Sequence, residues 1–184
     1  MHHPVYKQNQ GCCGDENQVF VYDGFIDFPA GQRPAFLCYR RIKMYQLTIE
    51  QSFDSAHFLA GYKGKCGNLH GHRWRVLLQV ESEELRTDMQ QRGMCVDFST
   101  LKEELKEMVD RYDHMLLIEK GSLREKTMEA LSEEGFSVVE LSFRPTAENF
   151  AKHFYDLIKG KGYDVAMVQV YETPNNCASY REGP

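Results

Sequence analysis

The sequence predicts one α+β domain built around an antiparallel sheet, preceded by a separate segment. Two strand-like segments follow each other closely enough to pair as a hairpin, and amphipathic helices separate them from a last strand. The chain has 184 residues, of which 42% are hydrophobic, so a single domain can bury a sizeable core. We therefore expect the domain to span residues 44–184, with residues 1–43 as an N-terminal extension of unknown role.

The strands are predicted by alternation of apolar and polar residues. The segments MYQLTIEQSF (44–53) and RWRVLLQVE (73–81) both place an apolar side chain at every second position, as a half-buried strand does. A glycine-containing loop joins them, so we expect the two strands to pair antiparallel. The segment SVVELSF (137–143) predicts a short strand or extended segment, and DVAMVQVYET (164–173) predicts the final strand.

The helices are predicted by apolar spacing and by residues that cap helix ends. The first helix is expected to begin at Thr100, which can form a capping box with Glu103. The second helix, SLREKTMEALSEEG, offers Ser122 and Glu125 as the same kind of pair. The third, PTAENFAKHFYDLIKGKG, has Thr146 as its N-cap and apolar residues along one face. Helices in these positions are expected to cover the sheet.

The composition excludes several classes of protein. A formal net charge of −5 argues against a nucleic-acid-binding surface. No apolar run approaches the roughly 18 residues that a membrane-spanning helix needs. The first residues lack the basic start and apolar segment of a secretory signal, so we expect a cytoplasmic protein with reduced cysteines. The six cysteines lack the paired spacing of a zinc knuckle or a disulfide scaffold.

Residues 1–43 carry two short apolar segments among Gly, Pro, Asn and Gln residues. This pattern permits either a hairpin packed on the domain or a loosely held arm. The adjacent Cys12 and Cys13 are compatible with an exposed redox or metal pair, but two ordinary thiols are the favoured interpretation. His2 and His3 are interpreted as solvated terminal residues rather than metal ligands.

The segment KCGNLHGHRW (65–74) predicts a metal site. His70 and His72 are two residues apart, so on a strand their side chains lie on one face, about 7 Å apart along the chain. His57 ends the preceding strand, and a hairpin returns it to the same face. Three imidazoles with an open fourth position are typical of catalytic zinc, which imidazole favours over magnesium or calcium. Because the chain has seven histidines, an H-x-H pair alone is a weak signal, and the third histidine strengthens it.

Cys66, four residues before His70, has two alternative roles. As a fourth protein ligand it would close the metal site. The flanking Gly64 and Gly67 instead favour a mobile and reachable thiol. Beside a divalent cation and Lys65, such a thiol is expected to act as a base or a nucleophile.

Two further groups carry chemistry-bearing side chains. Asp113 and His114 are adjacent after the first helix, where the aspartate can orient the imidazole for proton transfer or the pair can simply cap the helix. Glu172 stands near the end of the last strand. A carboxylate there can bind a guanidine-like array of donors or be solvated. The sequence leaves these alternatives open at this point.

Together these segments resemble the family of 6-pyruvoyltetrahydropterin and 6-carboxytetrahydropterin synthases. The resemblance extends from Met44 to Tyr180 and rests on six motifs in order: F-D-S-A-H, C-G-N-L-H-G-H, G-M-C-V-D-F, D-H, P-T-A-E-N and E-T. It implies the tunnelling fold, a four-stranded antiparallel sheet with helices packed on one face. It also implies that three subunits join their sheets into a barrel, that two trimers form a homohexamer, and that the active sites lie between subunits.

The resemblance implies a role for each candidate residue around the metal. His57, His70 and His72 would hold one zinc ion per subunit, and Cys66 would accept a proton from the substrate. Zinc would coordinate the hydroxyl groups of the substrate side chain as a Lewis acid. The substrate would be 7,8-dihydroneopterin triphosphate, a small pterin, with no nucleic-acid or membrane partner.

The remaining roles concern proton transfer and pterin binding. The resemblance implies that His114, oriented by Asp113, is the proton-relay partner of the thiol. Glu172 would anchor the pterin through its amino group and ring N–H. Thr146 and Glu148 would help to shape the pterin pocket.

The product distinguishes the two kinds of enzyme in this family. Three residues separate Cys66 from His70, a short spacing that is similar to the carboxy-type enzymes. These lyases release acetaldehyde and triphosphate and leave 6-carboxy-5,6,7,8-tetrahydropterin for 7-deazapurine (queuosine) biosynthesis. The alternatives are the pyruvoyl-type enzyme and a non-catalytic pterin-binding protein on the same fold. An unrelated zinc hydrolase would need an acidic base beside the histidines, and none stands in H-G-H.

Overall fold

A computed structural model describes residues 44–183. The predictions for residues 1–43, including those for Cys12, Cys13, His2 and His3, lie outside the described residues. The described part contains six strands and three helices. In chain order they are β1 (Tyr45–His57), β2 (His70–Ser82), α1 (Phe98–Val109), β3 (Leu116–Glu119), α2 (Glu125–Glu133), β4 (Val138–Leu141), α3 (Ala147–Gly160), β5 (Val165–Thr173) and β6 (Asn176–Tyr180).

The strands form one mixed sheet in the order β4-β3-β1-β2-β5-β6. The four strands β1, β2, β5 and β6 are joined by antiparallel pairs, which confirms the predicted α+β class and its four-stranded antiparallel sheet. Two parallel pairs add β3 and β4 beside β1, so the complete sheet has six strands. Strands β3 and β6, of four and five residues, were not predicted from the sequence.

The hydrophobic core lies between one face of the sheet and helices α1 and α3. Alternation along β1 and β2 places Phe53 and Trp74 on this face, where their rings stack with centroids 6.0 Å apart. Phe150 and Phe154 of α3 pack edge-on against Phe53. Burial of each such side chain stabilises the fold by roughly 2–3 kcal/mol. Helix α2 contributes no buried residue.

Two of the three predicted helix caps are wrong. Helix α1 begins at Phe98, and the Asp97 carboxylate, not Thr100, accepts hydrogen bonds from the first turn, including one of 2.7 Å from the Ser99 N–H. Helix α2 begins at Glu125 after Arg124, without a side-chain cap, so Ser122 lies outside it. An acceptor immediately before the helix competes better than one already inside the first turn. The predicted N-cap of α3 is confirmed, because Thr146 accepts from the backbone N–H three residues later.

Candidate metal centre

The register between β1 and β2 brings the three predicted histidines together. The strands pair antiparallel as predicted, with His57 opposite His70 and Ser55 opposite His72. All three imidazoles therefore lie on the helix-covered face at one end of the sheet. The His57 ring centroid lies 4.5 Å from that of His70 and 5.1 Å from that of His72. The His70 and His72 centroids are 4.9 Å apart.

A carboxylate joins the histidines from a third strand. Glu172 lies near the end of β5, two residues after the buried Val170 on the same face. Its Oε1 atom is 3.5 Å from Nε2 of His57 and 3.5 Å from Nε2 of His72. One side-chain atom from each of the four residues lies within 4.8 Å of the others, an arrangement that can hold a metal ion. From the sequence, Glu172 was predicted to bind the pterin, and its place in this group was not predicted.

Hydrogen bonds orient two of the imidazoles toward the centre of the group. His57 Nδ1 lies 2.9 Å from the Pro145 carbonyl oxygen, and His70 Nδ1 lies 2.7 Å from that of Asn68. A carbonyl oxygen only accepts, so Nδ1 carries the proton in each ring and Nε2 keeps a free lone pair. A hydrogen bond from the other ring nitrogen to a carbonyl oxygen is typical of histidines that bind a metal.

The chemistry of the donor set fits zinc. His57 Nε2 and His72 Nε2 are buried and have no hydrogen-bond partner. A buried polar atom without a partner costs free energy, about 1–3 kcal/mol, which a metal ion at the centre would remove. Imidazole nitrogens and a carboxylate oxygen are ligands that zinc takes in proteins. The residues present therefore fit the predicted metal.

Burial favours the neutral form of two imidazoles, His57 and His72, and metal binding requires that form. Burial is the main cause that lowers the pKa of His57 to about 4; the hydrogen bond to Pro145 opposes this shift, and the neighbouring His70 and His72 add smaller contributions that lower the pKa. Burial also lowers the pKa of His72, although the Glu172 carboxylate opposes this shift. Neutral rings at near-neutral pH present lone pairs rather than positive charges to a cation.

Asp113 and His114 form a rigid unit anchored to β1. The backbone N–H of Asp54 donates to Asp113 Oδ1 (2.8 Å), and the N–H of His114 donates to the Asp54 carbonyl oxygen (2.6 Å). The other carboxylate oxygen of Asp113 accepts from His114 Nδ1 at 2.8 Å, so the aspartate orients the imidazole. The Asp54 N–H lowers the pKa of Asp113 most, and the bond with His114 lowers it further.

The His114 backbone is unusual. Its φ angle is +58°, and it is the only residue other than glycine with a positive φ within 44–183. Residues other than glycine rarely adopt this backbone conformation, and those that do cluster at functional sites. The conformation leaves the His114 side chain 81% exposed, available to a ligand or to another subunit.

Cys66 lies in a short 3₁₀ turn, Lys65–Gly67, and is half-buried. Its carbonyl oxygen accepts from the Leu59 N–H at 2.8 Å, which ties the turn to the segment after β1. Gly67 is required there, because a Cβ atom would lie 2.5 Å from the Tyr62 carbonyl oxygen. The group that can hold a metal, searched over the described residues, does not include the thiol. The turn thus holds the backbone of Cys66 and leaves the thiol outside the group.

An open cavity of about 650 Å³ connects part of the site. His72 and His114 line it together with apolar side chains such as Leu131 and Phe136, whereas Cys66 and Glu172 do not. The predicted site residues of one chain are therefore brought together only in part.

The start of α3 adjoins the metal group. The carbonyl oxygen that orients His57 belongs to Pro145, immediately before the N-cap Thr146. Glu148 is exposed in the first turn of the helix. Nothing in the sequence pattern signals that the Pro145 carbonyl orients a ligand, since a backbone acceptor has no residue-type signature.

None of the helices within 44–183 combines the length and the apolarity that crossing a membrane requires.

Comparison with known proteins gives concordant results. Residues 46–183 match the family model of 6-pyruvoyl tetrahydropterin synthase. The chain is 31% identical over 142 residues to 6-carboxy-5,6,7,8-tetrahydropterin synthase of Haemophilus influenzae, covering 76% of this chain and 100% of that relative. It is 35% identical over 138 residues to the protein of the same name from Rickettsia bellii, covering 72% and 96% of the two chains.

Solved structures show the same fold. An uncharacterized protein of Wolinella succinogenes matches with a TM-score of 0.64 at 24% identity, covering 77% of this chain and 99% of that one. The 6-pyruvoyltetrahydropterin synthase of Plasmodium vivax matches with a TM-score of 0.57 at 21% identity over 77% and 99% of the two chains. This likeness confirms the predicted tunnelling fold. With the family model matched over residues 46–183, the chain belongs to the 6-pyruvoyl tetrahydropterin synthase family.

Proposed function

We propose that the protein is a zinc-dependent lyase that converts 7,8-dihydroneopterin triphosphate to 6-carboxy-5,6,7,8-tetrahydropterin, releasing acetaldehyde and triphosphate. The observation that carries this proposal is the group of His57, His70, His72 and Glu172, whose ligand atoms lie within 4.8 Å of one another in a chain of this family. Two of its imidazole nitrogens are buried without a hydrogen-bond partner. A site with this donor set suits a metal-assisted reaction on a hydroxylated side chain.

The carboxy product is favoured over the pyruvoyl product for two reasons. The relatives from Haemophilus influenzae and Rickettsia bellii both carry the name 6-carboxy-5,6,7,8-tetrahydropterin synthase. The spacing of three residues between Cys66 and His70 is similar to that of the carboxy-type enzymes. The pathway we propose is accordingly 7-deazapurine (queuosine) biosynthesis, in the cytoplasm.

The histidines His57, His70 and His72 would hold one zinc ion per subunit. When bound, zinc supplies Lewis-acid polarisation of the substrate hydroxyl groups and so makes the adjacent C–H more acidic. Cys66, on its separate turn, would accept the proton from that carbon. A thiol held outside the ligand set keeps its lone pair for this task.

The Asp113–His114 unit would move the proton onward. The carboxylate fixes the His114 ring by accepting from Nδ1, which leaves Nε2 directed away from Asp113 and free to exchange a proton. Because this unit is already anchored to β1, no further entropy is lost in positioning it when the reaction occurs.

Pterin binding would involve Glu172 and residues at the start of α3. Glu172 would accept from the pterin amino group and ring N–H, an arrangement that fixes the orientation of the ring. Thr146 and Glu148, at the start of α3 beside His57, would shape the pocket. The separation of His114 and Cys66, which do not line the same cavity, supports active sites completed between subunits of a homohexamer formed by two trimers.

Product analysis by mass spectrometry tests the proposal. Zinc-loaded protein is incubated with 7,8-dihydroneopterin triphosphate, without added reductant, and the mixture is analysed for acetaldehyde and pterins. Acetaldehyde together with 6-carboxy-5,6,7,8-tetrahydropterin would support the carboxy enzyme. A pyruvoyl product without acetaldehyde would replace it by the pyruvoyl-type reaction, and substrate binding without turnover would indicate a pterin-binding protein.

A further inference from the structure

The position of Glu172 is inconsistent with an ordinary hydrogen bond to the histidines. Its Oε1 atom lies 3.5 Å from two imidazole nitrogens, His57 Nε2 and His72 Nε2. Hydrogen bonds between such atoms are shorter, about 2.7–3.2 Å. Both nitrogens are accordingly without a hydrogen-bond partner, although the carboxylate faces them. The two nitrogens are equally distant from the carboxylate oxygen, but neither is hydrogen-bonded to it.

The same distances suit atoms that share a metal ion. Zinc bonds to imidazole nitrogen and carboxylate oxygen are about 2.0–2.1 Å long, so neighbouring ligands of a tetrahedron are about 3.3–3.4 Å apart. The two separations of 3.5 Å from Glu172 are close to this edge length. The His70 ligand atom completes a group in which all separations are within 4.8 Å.

The sheet itself directs Glu172 into the group. Residues 168 and 170 of β5 are buried on the helix-covered face, and alternation places Glu172 on that face as the next member of the row. The side chain is 26% exposed, so one edge of the carboxylate still reaches solvent. Glu172 thus faces two of the histidines and is at the same time reachable from solvent.

We infer that Glu172 is the fourth metal ligand while no substrate is bound, and that the pterin removes it from the metal. This inference rests on the proposed function, because it requires a pterin substrate. A carboxylate that binds the amino group and the ring N–H of a pterin uses both oxygens as acceptors. It cannot keep one oxygen on the metal at the same time in the same geometry.

The exchange has a chemical consequence. A metal with four protein ligands is closed, whereas catalysis needs an open position for the substrate. Pterin binding to Glu172 therefore opens the position that the substrate hydroxyl groups occupy. Without pterin the metal stays covered, which limits its contact with other hydroxylated metabolites and links substrate recognition to metal activation.

Metal affinity in the absence of substrate provides the first test. Metal-free protein is titrated with zinc in competition with a chromophoric chelator, for wild type and for Glu172→Gln. A matched control is Glu140→Gln, an exposed strand carboxylate in β4 outside the group. We expect Glu172→Gln to weaken zinc binding at least about 10-fold, as loss of a ligand or its support does, and Glu140→Gln to leave it unchanged. Equal affinity of wild type and Glu172→Gln would overturn the inference.

The cobalt spectrum provides the second test, independent of turnover. Cobalt-loaded wild-type protein is expected to show the intense visible absorption of a four-coordinate site, which changes when 7,8-dihydroneopterin is added. Cobalt-loaded Glu172→Gln should have a different spectrum before pterin is added. A wild-type spectrum that is identical to that of Glu172→Gln, or that does not respond to bound pterin, would contradict the exchange.

These tests separate the inference from the proposed function. If Glu172→Gln weakens metal binding and changes the cobalt spectrum but wild type produces no acetaldehyde, Glu172 is a ligand and the carboxy reaction is wrong. If wild type produces acetaldehyde while Glu172→Gln binds zinc as tightly as wild type, the reaction stands and the inference is wrong. A Glu172→Asp variant distinguishes loss of a ligand from misfolding, because it keeps the charge and shortens the reach by one methylene group.

Discussion

The two halves of the candidate site are built in different ways. The histidines His57, His70 and His72 lie on β1 and β2, whose paired register fixes their separations. The proposed proton-transfer residues are built differently: Cys66 lies in a short turn and His114 has a positive φ angle, and a few backbone hydrogen bonds hold each of them. Metal binding demands fixed ligand positions, whereas proton transfer requires side chains that can approach a substrate. In the proposed function, these two requirements would be divided between the sheet and the turns.

The largest effect should come from a mutation in the sheet-built half of the site, the histidines on β1 and β2. His70→Ala removes one of the three imidazoles, and we expect zinc affinity to fall roughly 100-fold or more, since loss of a supporting contact alone costs 10–100-fold. Turnover should be lost with the metal. Metal content after dialysis, measured by elemental analysis, checks this. Full retention of zinc in His70→Ala would disprove the ligand set.

A mutation in the turn-built half of the site, Cys66 and His114, should leave the metal bound. Cys66→Ala removes the proposed proton acceptor, and we expect turnover to fall about 10²–10⁴-fold, the usual contribution of general acid–base catalysis. Zinc content should match wild type, because the thiol lies outside the ligand group. Parallel assays of acetaldehyde release and metal content make the comparison. Loss of zinc in Cys66→Ala would instead make the thiol a ligand.

A milder change tests the anchoring of His114. Asp113→Asn keeps the shape of the side chain but removes the charge that fixes the imidazole tautomer. We expect turnover to fall about 10–100-fold, within the range for misoriented acid–base groups. Zinc content should match wild type, because neither Asp113 nor His114 belongs to the metal group. An unchanged rate would assign the Asp113–His114 pair a purely structural role.

In metal-free protein, the free energy of unfolding should depend on pH because histidines are buried in the neutral form. Burial lowers the pKa of His57 to about 4, and the pKa of His153 is also lowered mainly by burial. Between these lowered values and the ordinary value of 6.5, the unfolded chain binds more protons, so the free energy of unfolding decreases as pH falls below 6.5. We expect a loss of roughly 2 kcal/mol between about pH 7 and pH 5.

Urea unfolding of the metal-free protein at several pH values measures this loss. The variant His57→Gln serves as control, because it removes the group with the lowest histidine pKa and should flatten the profile. A profile that stays equally steep in His57→Gln would show that the titration comes from other groups.

The smallest effect concerns helix α1, which leads to the Asp113–His114 unit. Asp97→Ala removes the cap that accepts from Ser99 and Thr100, at an expected cost of about 1 kcal/mol in the free energy of unfolding. Thr100→Ala should cost less, because Thr100 is not the cap. Zinc affinity should not change in either variant, since α1 contributes no residue to the metal group. Thermal unfolding compares the two variants, and a larger loss for Thr100→Ala would restore the capping box.

The sequence allowed the sheet-built half to be predicted in more detail than the turn-built half. Alternation along β1 and β2, together with the H-x-H spacing, predicted which face the histidines share, because side-chain direction in a strand depends only on position. No comparable rule relates Cys66 to His114. The backbone of Cys66 is held by Leu59, and that of His114 is held by Asp54. Strand β3 was missed for a related reason, since its pairing with β1 is parallel and long-range.

Glu172 shows a second limit of sequence reasoning. Its strand was predicted, but the position of its side chain depends on the pairing of β5, which is irregular between Tyr171 and Thr173, at Glu172 itself. Sequence pattern does not specify such a shift. The roles of Thr146, Glu148 and Glu172 toward the pterin stay predictions.

The proposed metal site would also link the supply of metal to the stability of the protein. A metal bound by His57, His70, His72 and Glu172 would join three strands, and through the hydrogen bond from His57 to the Pro145 carbonyl oxygen it would also fix the start of α3. A ligand that binds only the folded chain stabilises it by mass action, about 4 kcal/mol when its concentration is a thousand times its Kd. In a zinc-starved cell the chain would therefore unfold more often and become a better substrate for proteases. The amount of this protein would then follow the availability of zinc.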